Sequence, residues 1–212
     1  MSTGLRERKM QAARDALVEA ALELFLEHGF DATSVEQIAD RVGVSARTFH
    51  RYFPAKDDVL FVDAAERHEH AAALLAADDG SRPVLDVLCE AAADLAARLG
   101  GDARRQARRQ RVIEDNARLR ARSLRATEEL ADLFAAHVAR RLGRGPADRV
   151  PRLVGTWAVG TIRVAHRRWL ADPDVDMVAE VRAGFELLAD VEAATAEDSP
   201  MAAPAAGSGR AE

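Results

Sequence analysis

Residues 33–56 read TSVEQIADRVGVSARTFHRYFPAK, and the spacing of apolar and polar positions in this stretch decides the fold class. Thr33 followed by Glu36 has the form of a capping box: the hydroxyl takes an orphan amide of the first helical turn and the carboxylate reaches back. Val35, Ile38, Ala39 and Val42 recur at i, i+3, i+4 and i+7, giving a short helix one apolar face. Gly43 supplies the positive φ that ends such a helix, and Val44 an apolar plug at the bend. Ser45 then caps a second helix that turns Phe49 and Phe53 inward and leaves Arg47, Thr48, His50 and Arg51 outside. Two short helices joined by a glycine turn, the second with a basic outer face, form a helix-turn-helix.

Charge placement adds a direction. The chain is acidic, with a formal net charge of -5, so it does not coat nucleic acid as a bulk polycation. Between Arg41 and Lys56 there are four basic residues (Arg41, Arg47, Arg51 and Lys56) and no acidic one. A local basic face on an acidic body suits one oriented docking site, where phosphate contacts set register and a few base contacts specify sequence. The competing reading is a solvated helix pair within some other all-α protein. Arg6, Arg8 and Lys9 fit equally a basic arm reaching toward a groove and the first turn of an opening helix.

Residues from about 12 to 61 resemble the N-terminal domain of TetR-family transcriptional regulators. The stretches that carry the resemblance are AALELFLEHGFDATSVEQIADRVGVS and ARTFHRYFPAKDDVLF. Thr48-Phe49-His50-Arg51-Tyr52-Phe53-Pro54-Ala55-Lys56 is close to the family's Thr-Leu-Tyr-x-x-Phe-x-x-Lys pattern, departing at Phe49 and at His50, where a Tyr is common. The resemblance implies that His50 touches the DNA backbone through a ring N–H. It also implies a ligand-responsive regulator, most often a repressor, that binds a palindromic operator as a homodimer and is released by a small hydrophobic or amphipathic effector. An activator, a ligand-independent DNA-binding protein of the same fold, and a helix-turn-helix that meets another protein remain alternatives.

The rest of the chain reads as all-α, about nine helices, with no alternating strand pattern and no internal repeat. At 212 residues and 48% hydrophobic, it can bury a sizeable core. A single cysteine, the lack of a long apolar run and the lack of a cleavage signal lead us to expect a cytoplasmic protein, nucleoid-associated when bound to DNA, with no membrane contact. The expected order is a helix from Glu7 to His28, the helix-turn-helix, a fourth helix from Lys56 to about Asp79, one from Pro83 to Gly100, and two to Leu142 broken near Asn116. After Gly143-Arg144-Gly145-Pro146 come a helix from Ala147 to Ala171 and a last one ending near Ala193. We therefore expect a DNA-binding head over 1–55, a ligand-binding and dimerisation body over 56–193, and a disordered Ala, Gly, Ser and Pro-rich tail over 194–212.

Within the head, Ala46 and Arg47 open the second helix, where base contacts concentrate. Thr48, His50, Tyr52 and Lys56 are phosphate candidates, Ser45 is a cap, Thr33 is a cap that also touches the backbone, and Arg51 fits either role. In the last two helices, Leu153, Val154, Trp157, Ala158, Thr161 and Ile162 follow helical spacing, as do Val178, Val181 and Phe185. The stripe is expected to form a dimer interface, with Gly155 and Ala158 allowing close approach; its other reading is intramolecular core. In the family a central pocket binds the effector and the fourth helix relays its occupancy. Candidate walls are Leu88, Cys89, Phe134, His137, Trp157 and His166, each also readable as ordinary core.

The run RRQARRQRVIEDNARLRARSLR, residues 104–125, places Arg104, Arg105, Arg108, Arg109 and Arg111 close together. Guanidinium matches phosphate in a two-pronged geometry, and the C-terminal region is similar to that of TetR-like regulators that sense acyl-CoA-like molecules. The alternative is a solvated face balanced by acids. An enzyme reading fails on spacing. His68 and His70, two apart on a helix, point in different directions; no HExxH, paired-Cys zinc spacing, phosphate-cradling glycine loop or nucleophile elbow occurs. No cofactor, metal site or catalytic residue is expected.

Overall fold

In the computed structural model, which describes residues 3–145 and 147–197, the described residues form nine α-helices and no strand. They are α1 (Thr3–His28), α2 (Val35–Val42), α3 (Ala46–Tyr52), α4 (Ala64–Ala76), α5 (Val84–Leu99), α6 (Ala103–Asp115), α7 (Ala117–Leu142), α8 (Arg149–Ala171) and α9 (Met177–Glu197). The backbone of residues 6–9 lies within α1, as the opening-helix reading expects, and not in an extended arm. The last helix runs through 194–197, past the expected end; the remainder of the expected tail, 198–212, lies outside the described residues.

The fourth helix does not begin at Lys56. Lys56–Leu60 is a 3₁₀ turn, and α4 starts only at Ala64. Val59 and Leu60 are buried in this turn, and Asp58 accepts the Ala55 N–H at 2.7 Å to close its first step.

Two hydrophobic clusters organise the chain. One gathers Leu17, Ala21 and Phe25 of α1, Ile38 and Ala39 of α2, Phe49 and Phe53, and the turn residues Val59, Leu60 and Phe61. Val112, Ile113 and Leu119, from the α6–α7 corner, complete that cluster. The head is thus packed not only on itself but on a corner contributed some 60 residues later. The other cluster is the body, built from α4, α5, α7, α8 and α9 around Leu88, Leu95, Phe134, Ala158, Ile162 and Val181. Gly155 is required there: a Cβ on it would lie 2.4 Å from the Ala131 carbonyl oxygen, so α8 rests directly on the α7 backbone. The close approach that Gly155 permits is therefore within the chain, and not toward a second copy.

Candidate nucleic-acid interface

The turn between α2 and α3 is set by local chemistry. Ser34, in extended backbone, is the α2 cap: the Gln37 N–H donates to Ser34 Oγ at 3.1 Å and the Ser34 N–H donates to Gln37 Oε1 at 2.7 Å. This corrects the expected Thr33–Glu36 box by one residue. Thr33 is only 1% exposed, with its hydroxyl shared between the carbonyls of Gly29 (2.9 Å) and Leu24 (3.2 Å). A side chain so enclosed ties α2 to the end of α1 and does not reach a phosphate. Gly43, at φ 74°, ends α2 in the left-handed conformation.

Ser45 caps α3, accepting the Thr48 N–H at 3.2 Å, and its hydroxyl meets the Thr48 hydroxyl at 3.0 Å. Phe49 and Phe53 are buried. The opposite side of α3 therefore presents Arg47, His50 and Arg51, all exposed, with Ala46, Thr48 and Tyr52 half-buried beside them. Arg47 makes no hydrogen bond or ion pair among the described residues. Arg51 lies over the Tyr52 ring at 5.0 Å and donates to its hydroxyl at 3.2 Å, which orients both. The exposed His50 ring stands edge-on to Phe49, centroids 5.6 Å apart.

Lys56 lies differently from the expected phosphate anchor. Its Nζ donates to the carbonyls of Phe30 (2.6 Å) and Thr33 (2.7 Å) and sits 4.3 Å from the Phe30 ring centre. Burial lowers its ammonium below the ordinary lysine value, with Asp31 opposing that shift. Two of its three donors are thus spent on the α1–α2 loop. The head is tied to the body by Arg122 of α7, which reaches Asp57 and Asp58 of the 3₁₀ turn, and by Asn116, whose Nδ2 donates to Asp31 at 3.0 Å. Arg122 has no signature in the sequence, because nothing local marks which arginine of the run 104–125 crosses to the head.

None of the six expected pocket residues borders the cleft between the end of α4, α5 and α9. Leu88 and Phe134 are fully buried in the body core and Cys89 packs against it, its thiol pushed up by burial. His137 is wedged between Arg140, 2.8 Å from its Nδ1, and Asp78, 3.1 Å from its Nε2. Trp157 is 38% exposed on α8, its indole N–H donating to the Gly184 carbonyl at 3.2 Å. That cleft, of about 630 Å³, opens beside Asp78, Arg82, Glu90, Asp94, Val178 and Arg182. Several of its charges are already paired, Arg82 with Glu90 at 2.8 Å and Asp94 with His70 at 2.6 Å. His166 alone of the six keeps a buried ring nitrogen, Nε2, without a hydrogen-bond partner among the described residues outside any ion pair.

The expected interface stripe also divides. Ala158, Thr161, Ile162, Val181 and Phe185 are buried within their own chain, and Val154 and Val178 are half-buried against the same core. The inward face of α8 is thus packed against α5, α7 and α9 of the same chain. Leu153 (63% exposed), Trp157, Val164 and, on α9, Leu187 remain outside. Gly160, on the same outer stripe, has nothing within 4 Å of an added Cβ.

No helix among the described residues is long and apolar enough to cross a membrane, and no group of three or more His, Cys, Asp or Glu there is placed to hold a metal ion. Residues 17–62 match the family model described as bacterial regulatory proteins, tetR family, and residues 82–193 match that of the MftR C-terminal domain. The chain is 33% identical over 183 residues to the HTH-type transcriptional regulator TcmR of Streptomyces glaucescens, a match spanning 83% of this chain and 81% of TcmR. It is 28% identical over 181 residues, 85% of this chain and 91% of the relative, to MftR of Mycobacterium tuberculosis, a proposed mycofactocin biosynthesis transcriptional regulator. Among solved structures, Thermus thermophilus FadR, a TetR-family transcriptional repressor in complex with lauroyl-CoA, superposes with a TM-score of 0.53 at 28% identity, covering 92% of this chain and all of FadR's.

Proposed function

This chain belongs to the TetR family of bacterial regulatory proteins and is a DNA-binding transcriptional regulator, not an enzyme, and on that premise we propose that it is a repressor. In this reading it binds a palindromic operator as a homodimer in the cytoplasm and leaves it when a small amphipathic effector occupies the body. The observation that carries the reading is the outward face of α3, where Arg47, His50 and Arg51 stand exposed over the buried Phe49 and Phe53. Arg47 is suited to guanine O6 and N7, with Thr48, His50 and Tyr52 toward phosphate. Dimerisation through the outer stripe of α8 and α9 would hold two α3 helices about one DNA turn (~34 Å) or a multiple apart.

The effector reading is supported by the tie between body and head through Arg122, since a ligand controls DNA binding only by favouring one of two arrangements of the same chain. Lauroyl-CoA in the FadR relative makes an acyl-CoA-like molecule the first class to try. A gel shift with DNA upstream of the chain's own coding sequence, at several salt concentrations, tests the regulator. The expected result is a discrete complex that weakens steeply with salt and is competed poorly by unrelated DNA. Equal affinity for every duplex would overturn it.

A further inference from the structure

Arginines on α6 are sorted by the fold into two kinds. Arg105 and Arg108 turn toward α1 and share Glu19, at 2.6 Å and 3.1 Å. Arg111 faces Asp115 at 3.9 Å on the surface. Arg109, one position beyond Arg108 and so about 100° further round the helix, turns inward. Among the described residues no carboxylate lies within 4.0 Å of it; its guanidinium has only the Gln106 side-chain oxygen, at 3.5 Å. The charges that act on it include those of another partly buried arginine, Arg67 of α4, and of Asp63 before α4, and its own charge acts in turn on His166 of α8. Arg67 has an ion-pair contact with Asp63, the N-cap of its own helix, at 3.9 Å, and Glu66 of the first turn adds a second negative charge nearby. His166 stacks on Trp169, centroids 5.9 Å apart, and its Nε2 is buried without a hydrogen-bond partner.

Two guanidiniums and an imidazole are thus brought together from three helices, with Asp63 and Glu66, both beside Arg67, as the acids that offset them and none within 4.0 Å of Arg109. Such an arrangement costs free energy in the empty protein, because charges of one sign repel in a poorly solvated interior and their desolvation is not repaid. The cost is visible in the groups themselves. Burial and then Arg67 push Arg109 down to about 10, still charged at neutral pH, while burial followed by Arg109 and Arg67 lowers His166. The same helix pairs Arg105 and Arg108 with Glu19, so a carboxylate partner was within the chain's means and is not used at Arg109.

We propose that Arg67, Arg109 and His166 form a seat for the anionic group, carboxylate or phosphate, of an amphipathic effector lodged in the helical body. Guanidiniums take such a group through paired, charge-assisted hydrogen bonds, and His166 Nε2 supplies or accepts one more. The position also gives the anion leverage. α4 follows directly on the 3₁₀ turn of the head, and α6 carries Val112 and Ile113 into the head's own core. Drawing α4 and α6 together around a shared anion therefore acts on both attachments of the head. This deepens the reading that an effector controls the protein and rests on it.

The test is direct binding and thermal denaturation of the full chain, without DNA, using dodecanoate, lauroyl-CoA and dodecanol below their micellar concentrations and at fixed ionic strength. The expected result is that one or both anions bind and raise the melting temperature, while dodecanol binds at least about tenfold more weakly. Binding of both assigns the seat to a carboxylate or a phosphate alike; binding of lauroyl-CoA alone assigns it to phosphate. Arg109→Met should weaken the anion at least about tenfold, yet melt at or above the wild-type temperature when empty, because removing one of the two like-charged guanidiniums relieves repulsion. Arg67→Met gives the same pattern and serves should the first variant fold poorly, and Arg105→Ala, on the paired side of α6, leaves anion binding unchanged. The proposal is overturned if neither anion binds, or if both arginine variants bind as wild type does. Gel shifts run in parallel separate the two readings: an operator complex with no anion binding removes the seat alone, and Arg109-dependent anion binding with no operator complex removes the regulator alone.

Discussion

Arg122 of α7 donates to Asp57 Oδ2 at 2.5 Å and to Asp58 Oδ1 at 2.7 Å, and its guanidinium lies 4.4 Å from the centre of the Phe61 ring. One side chain from the body thereby clasps the turn that carries the DNA-binding head. Burial works against both partners. The hydrogen bond and charge of Arg122 nevertheless hold the Asp57 carboxyl below its ordinary value, and the two aspartates hold Arg122 above its own.

Arg122→Ala should therefore destabilise the protein by about 1–3 kcal/mol, since it strands a buried carboxylate; the partial exposure of Arg122 argues for the lower part of that range. A depressed carboxylate pKa contributes stability above the unfolded-state value and loses it as pH falls through the folded value. The difference between wild type and variant in urea unfolding should accordingly shrink below about pH 4. A constant difference down to pH 3 would show that the clasp does not act through ionised Asp57.

Arg47→Ala should cost about 1–3 kcal/mol in operator binding and relax discrimination at one base position per half-site, with stability unchanged because the side chain has no partner to lose. Fluorescence anisotropy against single-base operator variants reads this. A loss uniform across all variants would assign Arg47 to phosphate instead.

Lys56→Met should lower stability by about 1–3 kcal/mol, because the carbonyls of Phe30 and Thr33 lose their donor. The slope of log affinity against log salt should change little, since a lysine spent on carbonyls releases few counterions from DNA. A slope reduced by about one, with stability intact, would restore it to the phosphate contacts.

Leu153→Glu places a charge on the outer stripe of α8 and should weaken self-association by more than about 2 kcal/mol, read by sedimentation equilibrium, with loss of operator affinity. The helical content should persist, because Leu153 is largely exposed in the single chain. Gly184→Ala, by contrast, sets a Cβ 2.7 Å from Thr161 Cγ2 and should cost about 1–3 kcal/mol of folding stability through overpacking between α8 and α9. An unaltered oligomeric state in Leu153→Glu would move the interface away from this face.

The helix-turn-helix was legible in the sequence because its determinants are local. Apolar spacing, the Gly43 turn and the Ser45 cap act over a few residues, and Phe49 and Phe53 turn inward wherever the segment is placed. Local chemistry also misled once. Thr33 and Ser34 are adjacent hydroxyls, and only the packing against the end of α1 decides that the first is buried and the second caps.

The order of the helices followed from periodicity and glycine breaks, whereas the start of α4 at Ala64, the end of α9 and the use made of each face did not. An apolar stripe on α8 reads the same whether it meets its own chain or a second copy, and the fold spends Ala158 and Ile162 inside while leaving Leu153 and Trp157 outside. The arginine run illustrates the same limit: sequence supplies the charges, but tertiary structure distributes Arg105 and Arg108 to Glu19, Arg122 to Asp57, and Arg109 to an interior beside Arg67 and His166. Propensity, capping and hydrophobic period are properties of neighbours in the chain, so the sequence by itself determined the helices and the DNA-reading motif. Which charge is paired and which is left waiting depends on helices 40 to 100 residues apart being brought together, and only the tertiary structure decided that.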